Sequence, residues 1–277
     1  MNIQNIEKIL IDAGIEPNEA KAEVKILLSE ICGWTTLDIL MEKPLNTERL
    51  PEVEAIARKR ATTRIPLQHL LGKAYFYENY YKVNSDVLIP RDETEILVQK
   101  ALEIIKANNL KDVLDIGTGS GCIACTIAQK TDTYVLGVDI SSDALRVALE
   151  NASNLNLNNK AVFRKSDLYS KLRPNENFDM IISNPPYIPK GTKLQKEVEF
   201  DPELALFTED KEGVEFYIRI IENAHNHLKT GGFILFECGI DQAQKIKQIL
   251  AQNKFGNIEI IKDLANIERV IIAQLLD

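Results

Sequence analysis

At 277 residues the chain is long enough to bury a full core and to hold one large domain or two smaller ones. Its 45% hydrophobic and 27% charged residues are those of an ordinary soluble globular protein, and no apolar run nears the roughly 18 residues of a membrane span. A net charge of −8 argues against a surface built chiefly to grip nucleic-acid phosphate, so neither a membrane nor direct nucleic-acid contact is expected.

The start, Met1-Asn2-Ile3-Gln4, lacks a basic stretch followed by an apolar core, so no export signal is expected. Four cysteines, Cys32, Cys122, Cys125 and Cys238, form no paired framework, which points to a reducing cytoplasm. Cys122 and Cys125 make a C-x-x-C, but no second cysteine or histidine pair lies at the matching spacing for zinc. The three histidines, His69, His225 and His227, are scattered. Cys122 and Cys125 are therefore expected as small buried residues on a helix face, with no metal site.

Residues 1–73 carry apolar residues at helical spacing: Ile6, Ile9 and Leu10; Val24, Leu27, Leu28 and Ile31; Leu37, Leu40 and Met41; then Leu50, Val53, Ile56 and Ala57. Breaks fall at Gly14, Gly33, Pro44 and Pro51, the last suited to a helix's first turn. The spacing predicts a small helical bundle with nothing catalytic in it, serving as a stabilising cap or as a docking platform. From Tyr75 to Val83 the pattern turns aromatic and strand-like around Glu78-Asn79, which predicts a β-hairpin linker over 74–92. Asp92-Glu93-Thr94-Glu95 then opens a helix, its acidic residues suiting the helix dipole. Arg91, just before it, is placed either to help position one end of a bound cofactor or to pair with Glu93 or Glu95, and the structural pairing is the one expected.

From Lys111 onward strands alternate with helices. Strands are predicted at 113–116, 134–139, 161–163, 178–183, 233–238, 258–261 and 270–273, and helices at 123–129, 142–154, 214–228 and 242–250. This alternation implies an α/β fold over 93–277, with a doubly wound, mostly parallel seven-stranded sheet. The last two strands are close enough to pair as an antiparallel edge. Gly191 to Glu212 lacks periodicity and is placed to form a lid.

Asp115-Ile116-Gly117-Thr118-Gly119-Ser120-Gly121 joins the first of these strands to its helix, its glycines allowing a ligand close to the backbone. Asp139 ends the second strand, placed to accept both hydroxyls of a ribose. These two features also fit a dinucleotide site. Asp115, however, puts a carboxylate where a pyrophosphate would sit, which suits the sulfonium and ammonium of S-adenosylmethionine. Asp167, followed by Leu168, comes just after the third strand and is placed for an adenine amine.

Ser183-Asn184-Pro185-Pro186-Tyr187 follows the fourth strand. The prolines stop the sheet and hold Asn184 in a stiff, extended turn. The Asn184 side-chain oxygen and the Pro185 carbonyl can each accept one N–H of a planar NH2 group, and Tyr187 can pack on its plane. Ligand-facing polar groups after four successive strands mark one cofactor site, with Asn184 between cofactor and acceptor.

These motifs resemble a class I S-adenosylmethionine-dependent methyltransferase of the Asn-Pro-Pro-Tyr type, which methylates planar nitrogens. Pro66-Leu67-Gln68-His69-Leu70-Leu71-Gly72, Val87-Leu88-Ile89-Pro90-Arg91-Asp92-Glu93-Thr94-Glu95, Glu197-Val198-Glu199-Phe200-Asp201-Pro202-Glu203-Leu204-Ala205-Leu206 and Phe236-Glu237-Cys238-Gly239 extend the likeness. Together they resemble the release factor glutamine methyltransferase family (PrmC, also called HemK) over nearly the whole chain. Asp92 stands where that family usually places proline, and Asp201-Pro202 replaces Glu-Pro. The resemblance implies N5-methylation of the glutamine in the Gly-Gly-Gln motif of class-1 peptide-chain release factors, with residues 1–73 contacting the release factor. Asn184, Pro185 and Tyr187 would then be the catalytic set, with Pro186 fixing the turn. A ribosomal-protein glutamine methyltransferase would share every motif. A DNA adenine methyltransferase could use the same clamp on a flipped base but needs a basic DNA-reading region. A non-enzymatic S-adenosylmethionine-binding adaptor would not need the clamp intact.

Overall fold

The computed structural model describes residues 3–41 and 47–276, so the predicted break at Pro44 lies outside the described residues. The chain forms two compact units, one of Met1–Leu71 with Gln195–Phe200 and the other of Gly72–Leu194 with Asp201–Asp277. No helix among the described residues is long and apolar enough to cross a membrane.

The helical unit contains α1 (Ile3–Asp12), α2 (Pro17–Cys32), α3 (Thr36–Leu40), α4 (Leu50–Thr63) and α5 (Leu67–Leu71). Pro51 stands in the first turn of α4, where its missing N–H leaves no bond unmade. The predicted stripes converge on one core of Ile6, Leu10, Val24, Leu27, Leu28, Val53 and Ala57. Leu37 and Met41 depart from that reading and are 66% and 69% exposed, because α3 is too short to turn an apolar face inward.

Among these apolar residues lies Arg60, only 1% exposed. Its guanidinium donates to Glu23 at 2.9 Å and to Glu197 at 3.0 Å, and pairs with Glu19 at 3.3 Å. Arg64 pairs with Glu197 as well. Two cations and three carboxylates thus tie Gln195–Phe200 into the helical unit.

The second unit opens with a hairpin, β1 (Lys73–Phe76) and β2 (Asn79–Lys82). It turns on Tyr77-Glu78, one residue before the predicted centre. Both residues have positive φ, +45° and +70°, the two-residue turn geometry whose twist matches the flanking strands. Tyr77 gives its N–H to Glu95 at 2.7 Å and Glu78 pairs with Lys130, which offsets that backbone strain.

After α6 (Asp92–Asn108) come β3 (Asp112–Ile116), α7 (Cys122–Lys130), β4 (Tyr134–Asp139), α8 (Ser142–Asn154), β5 (Ala161–Lys165) and β6 (Phe178–Ser183). Then follow β7 (Ile188–Pro189), α9 (Glu203–Leu206), β8 (Phe207–Thr208), α10 (Glu215–Ala224), β9 (Leu228–Glu237), α11 (Ala243–Gln252), β10 (Phe255–Lys262) and β11 (Glu268–Leu275).

The seven-stranded sheet has the order β10-β11-β9-β6-β3-β4-β5, with β9, β6, β3, β4 and β5 parallel. The last two strands pair antiparallel as expected, but β11 inserts between β10 and β9, leaving β10 at the edge. From β3 the chain runs outward through β4 and β5, then returns to place β6 on the other side of β3. The order therefore reverses between β3 and β6, the position at which such sheets open a crevice. Residues of α6, α7 and α8 pack on one face, and those of α10 and α11 on the other. Cys122 and Cys125 are buried in α7 with free thiols, as read from the sequence. Burial pushes the Cys122 thiol up to about 12, where it is no nucleophile.

Candidate active site

A cavity opens at the carboxyl ends of the parallel strands. It is lined by Gly117 and Gly119 after β3, Asp139 and Ile140 after β4, Asp167 and Leu168 after β5, and Asn184, Pro185 and Pro186 after β6. Ile116 pairs with Ser183 across the two central strands, and the Ser183 hydroxyl donates to the Ile116 carbonyl at 2.7 Å. The glycine loop and the Asn-Pro-Pro turn therefore leave the sheet side by side.

The loop folds back over β4, with the N–H groups of Gly117 and Thr118 both donating to the Val138 carbonyl. Gly117 has φ +72° and Gly119 φ +54°, conformations that L side chains seldom adopt, and both present bare backbone to the cavity. Gly119 donates its N–H to Oδ2 of Asp139 at 2.9 Å, and Ser141 donates to Oδ1 at 2.8 Å. Burial raises the Asp139 acid above its ordinary value, and these backbone bonds oppose the rise. Each oxygen keeps a lone pair for a further donor.

Asp115 departs from the sequence expectation. It is fully buried beneath the loop and does not line the cavity. The Thr118 hydroxyl donates to its Oδ2 at 2.6 Å, while Oδ1 is buried without a hydrogen-bond partner of good geometry. Burial pushes this acid up to about 7, Asp139 adding to the rise, while Thr118 and more weakly the Ala124 N–H counter it. Thr118, Ser120 and Gly121 likewise shape the loop from within. The Ser120 carbonyl accepts from Asn151 at 2.9 Å, and Gly121 begins α7 at φ +77°.

Asp167 does reach the cavity, but not as a lone carboxylate. Arg219 of α10 donates to both of its oxygens, at 2.9 and 3.1 Å. Leu168 takes φ +47° and lines the wall beside it.

Asn184 is held by two residues of distant sequence. Its Nδ2 donates to the Thr94 hydroxyl at 3.3 Å, and that hydroxyl donates to Oε2 of Glu237 at 2.6 Å. Thr94 and Glu237 are each 3% exposed, and burial pushes the Glu237 acid up to about 7. Pro185 is buried next to Asn184.

Tyr187 was expected to wall the slot, yet it does not line the cavity. It packs on the core beneath α10 and α11, and a Cβ on Gly239 would meet its ring at 2.9 Å. Its carbonyl accepts from Gln242 at 2.9 Å. Tyr187 thus anchors the far end of the turn.

The rest of the wall was not foreseen. Val87 and Leu88, Pro202 and Leu204, and Phe216 on α10 complete it. Arg91 pairs not with Glu93 or Glu95 but with the buried Asp201, at 2.6 Å. Asp201 also accepts the Ile89 N–H at 3.4 Å, so one carboxylate joins two wall segments. Most of these residues lie in segments already read as family motifs, but their place in the cavity wall comes from contacts across long sequence separation.

A doubly wound seven-stranded sheet with a glycine loop after its first parallel strand and an Asn-Pro-Pro turn at the switch point defines a class I methyltransferase. Residues 92–200 match the methyltransferase small domain family, and residues 3–72 match the PrmC N-terminal domain. The release factor glutamine methyltransferase of Neisseria gonorrhoeae is 35% identical over 264 residues, covering 92% of this chain and 94% of its own. That of Fusobacterium nucleatum is 36% identical over 243 residues, covering 86% of this chain and 68% of its own. A solved structure of the T. thermophilus 16S rRNA N2 G1207 methyltransferase, in complex with AdoMet and guanosine, matches with a TM-score of 0.53 and 18% identity. The match covers 73% of this chain and 49% of that one, and it bears on fold alone. The chain belongs to the release factor glutamine methyltransferase family.

Proposed function

We propose that the protein transfers a methyl group from S-adenosylmethionine to the side-chain nitrogen of the glutamine in the Gly-Gly-Gln motif of class-1 peptide-chain release factors. In this reading residues 1–73 dock the protein substrate, residues 93–277 carry out the transfer, and the work is done in the cytoplasm. The observation that carries it is Asn184, held at the switch point with its Nδ2 committed to Thr94 and its Oδ1 left to accept.

The residues present fit the cofactor. Gly117 and Gly119 would take the methionine end, Asp139 the ribose hydroxyls, and Asp167 with Leu168 the adenine edge. Asp115 would act from beneath the loop, holding Thr118 and so the shape of the glycine turn. When bound, S-adenosylmethionine supplies a methyl group on a positively charged sulfur.

The chain's own task is to make an amide nitrogen attack. That nitrogen is a poor nucleophile because its lone pair is delocalised into the carbonyl. Asn184 Oδ1 and the Pro185 carbonyl would each accept one of its N–H bonds, drawing off positive charge as it develops. Both acceptors also aim the nitrogen, while Pro186 and the half-buried Tyr187 keep the turn rigid. No strong base is needed first, since a proton can leave as or after the new bond forms. Orientation in a closed pocket can be equivalent to roughly 10⁵–10⁸ M effective molarity.

The decisive test is incubation with isotopically labelled cofactor and purified release factor, followed by peptide mapping. Label on the Gly-Gly-Gln glutamine is expected. Label confined to another residue, or transferred only to a ribosomal protein, overturns the assignment.

A further inference from the structure

We infer that Thr94 and Glu237 are positioning residues for the methyl acceptor, their hydrogen-bond chain fixing which edge of the Asn184 carboxamide faces the substrate. The inference rests on the clamp reading of Asn184 given above.

The sheet itself brings the groups together. In the parallel pairing of β6 with β9, Ser183 stands opposite Phe236. The next residue on each segment, Asn184 just past β6 and Glu237 the last of β9, therefore stands at the same level. Thr94 comes between them from the first turn of α6.

The proton count then gives the chain one direction. A threonine hydroxyl has a single hydrogen and can also accept. At 2.6 Å from Glu237 that hydrogen is spent on the carboxylate. The hydroxyl oxygen can then only accept, and what it faces is Asn184 Nδ2. The same NH2 group lies close enough to Glu237 to favour its ionised form, opposing the rise that burial imposes. A flipped carboxamide would set two acceptors against each other at Thr94 and turn an NH2 toward an NH2 in the substrate. Thr94 and Glu237 are both buried, so water does not substitute for either.

Thr94 also gives its backbone N–H to the Arg91 carbonyl, a purely structural bond that its side chain does not share. Changing the hydroxyl alone isolates the relay. Thr94→Val keeps the shape and removes the hydroxyl, whereas Thr94→Ser restores it.

The experiment compares both variants with Asn184→Ala in single-turnover and steady-state methylation of a purified release factor, with cofactor affinity measured by calorimetry. Thr94→Val is expected to lower kcat by roughly 10- to 100-fold, the range for a group that orients a reacting residue. KM for the release factor and cofactor affinity should stay unchanged, and Thr94→Ser should recover most of the rate. A wild-type kcat in Thr94→Val overturns the inference, as does a Thr94→Ser enzyme no better than Thr94→Val, or a loss carried by KM alone. If Asn184→Ala is impaired and Thr94→Val is not, only the relay fails. If Asn184→Ala itself works at the wild-type rate, the clamp fails and the relay with it.

Discussion

Gly119 donates its backbone N–H to Oδ2 of Asp139 at 2.9 Å, so the glycine loop sets the angle of the carboxylate proposed to hold the ribose. Asp139→Ala removes a charged acceptor for two hydroxyls and releases the loop. Cofactor binding should weaken by about 1.5–3 kcal/mol, the usual contribution of hydrogen bonds to a charged group. Calorimetry that finds unchanged affinity would remove Asp139 from the ribose site.

Asn184→Ala should act on rate more than on binding. It leaves Gly117, Gly119 and Asp139 in place, so cofactor affinity should largely persist. It takes away one acceptor where charge develops, and kcat should fall by roughly 10²–10³-fold. Asn184→Asp keeps an oxygen at the same position and should retain part of the activity. Single-turnover methylation at saturating cofactor measures both; an Asn184→Ala enzyme at full rate would reduce Asn184 to a turn residue.

Two buried acids give the protein a pH dependence with a definite sign. Burial raises Glu237 from 4.5 to about 7 and Asp115 from 3.8 to about 7. A folded-state value above the unfolded one contributes stability that is fully present below the unfolded value and is lost as pH rises through the folded value. The melting temperature should therefore fall between about pH 5 and pH 7 and level off above that. Glu237→Gln should flatten that slope. Activity should move the opposite way, since an ionised Glu237 can only accept from Thr94 whereas a protonated one can donate to it and reverse the chain, and kcat should climb as pH rises through about 7. Thermal unfolding and single-turnover rates on one pH series check both; a melting temperature that rises with pH contradicts the assignment.

Arg60 offers a test within the helical unit. It is 1% exposed, and its charge opposes the rise that burial imposes on the Glu23 acid. Arg60→Met would leave Glu23 buried without its cation, at a cost of about 3–5 kcal/mol. Adding Glu23→Leu should restore much of that loss, because an apolar pair of similar volume replaces a broken ion pair. Denaturant midpoints for the single and double variants decide it; equal midpoints for wild type and Arg60→Met would show the cluster to be inert.

The parallel strands were legible because their signals are local. The 134–139 and 178–183 strands end where predicted, at Asp139 and before Asn184-Pro185, where an acid or a proline stops an apolar run. β9 was less legible. The strand is predicted only from Phe233, after a helix reaching 228, yet it begins at Leu228 and passes through Gly231-Gly232, with a register irregularity opposite Phe178 and Met180. The site divides in the same way. Glycine and proline turns could be located from spacing, and Gly117, Asp139, Asp167 and Asn184 do meet at one cavity. Spacing could not tell that Asp115 points beneath the loop or that Tyr187 packs away from the slot. Nor could it pair Arg219 with Asp167, or Glu237 with Thr94, because strand register and helix packing create those contacts.

The clasp of Arg60 and Arg64 on Glu197 makes the helical unit discontinuous in sequence. The N-terminal domain family matches only residues 3–72 and so omits one of the carboxylates that this unit uses. A splice between two relatives at that boundary would move the guanidinium groups and leave Glu197 behind with a foreign partner. Working chimaeras therefore require residues 195–200 to be exchanged together with the first 71. Over evolutionary time, positions 60 and 197 are expected to change as a pair, although the whole hairpin and most of the sheet lie between them.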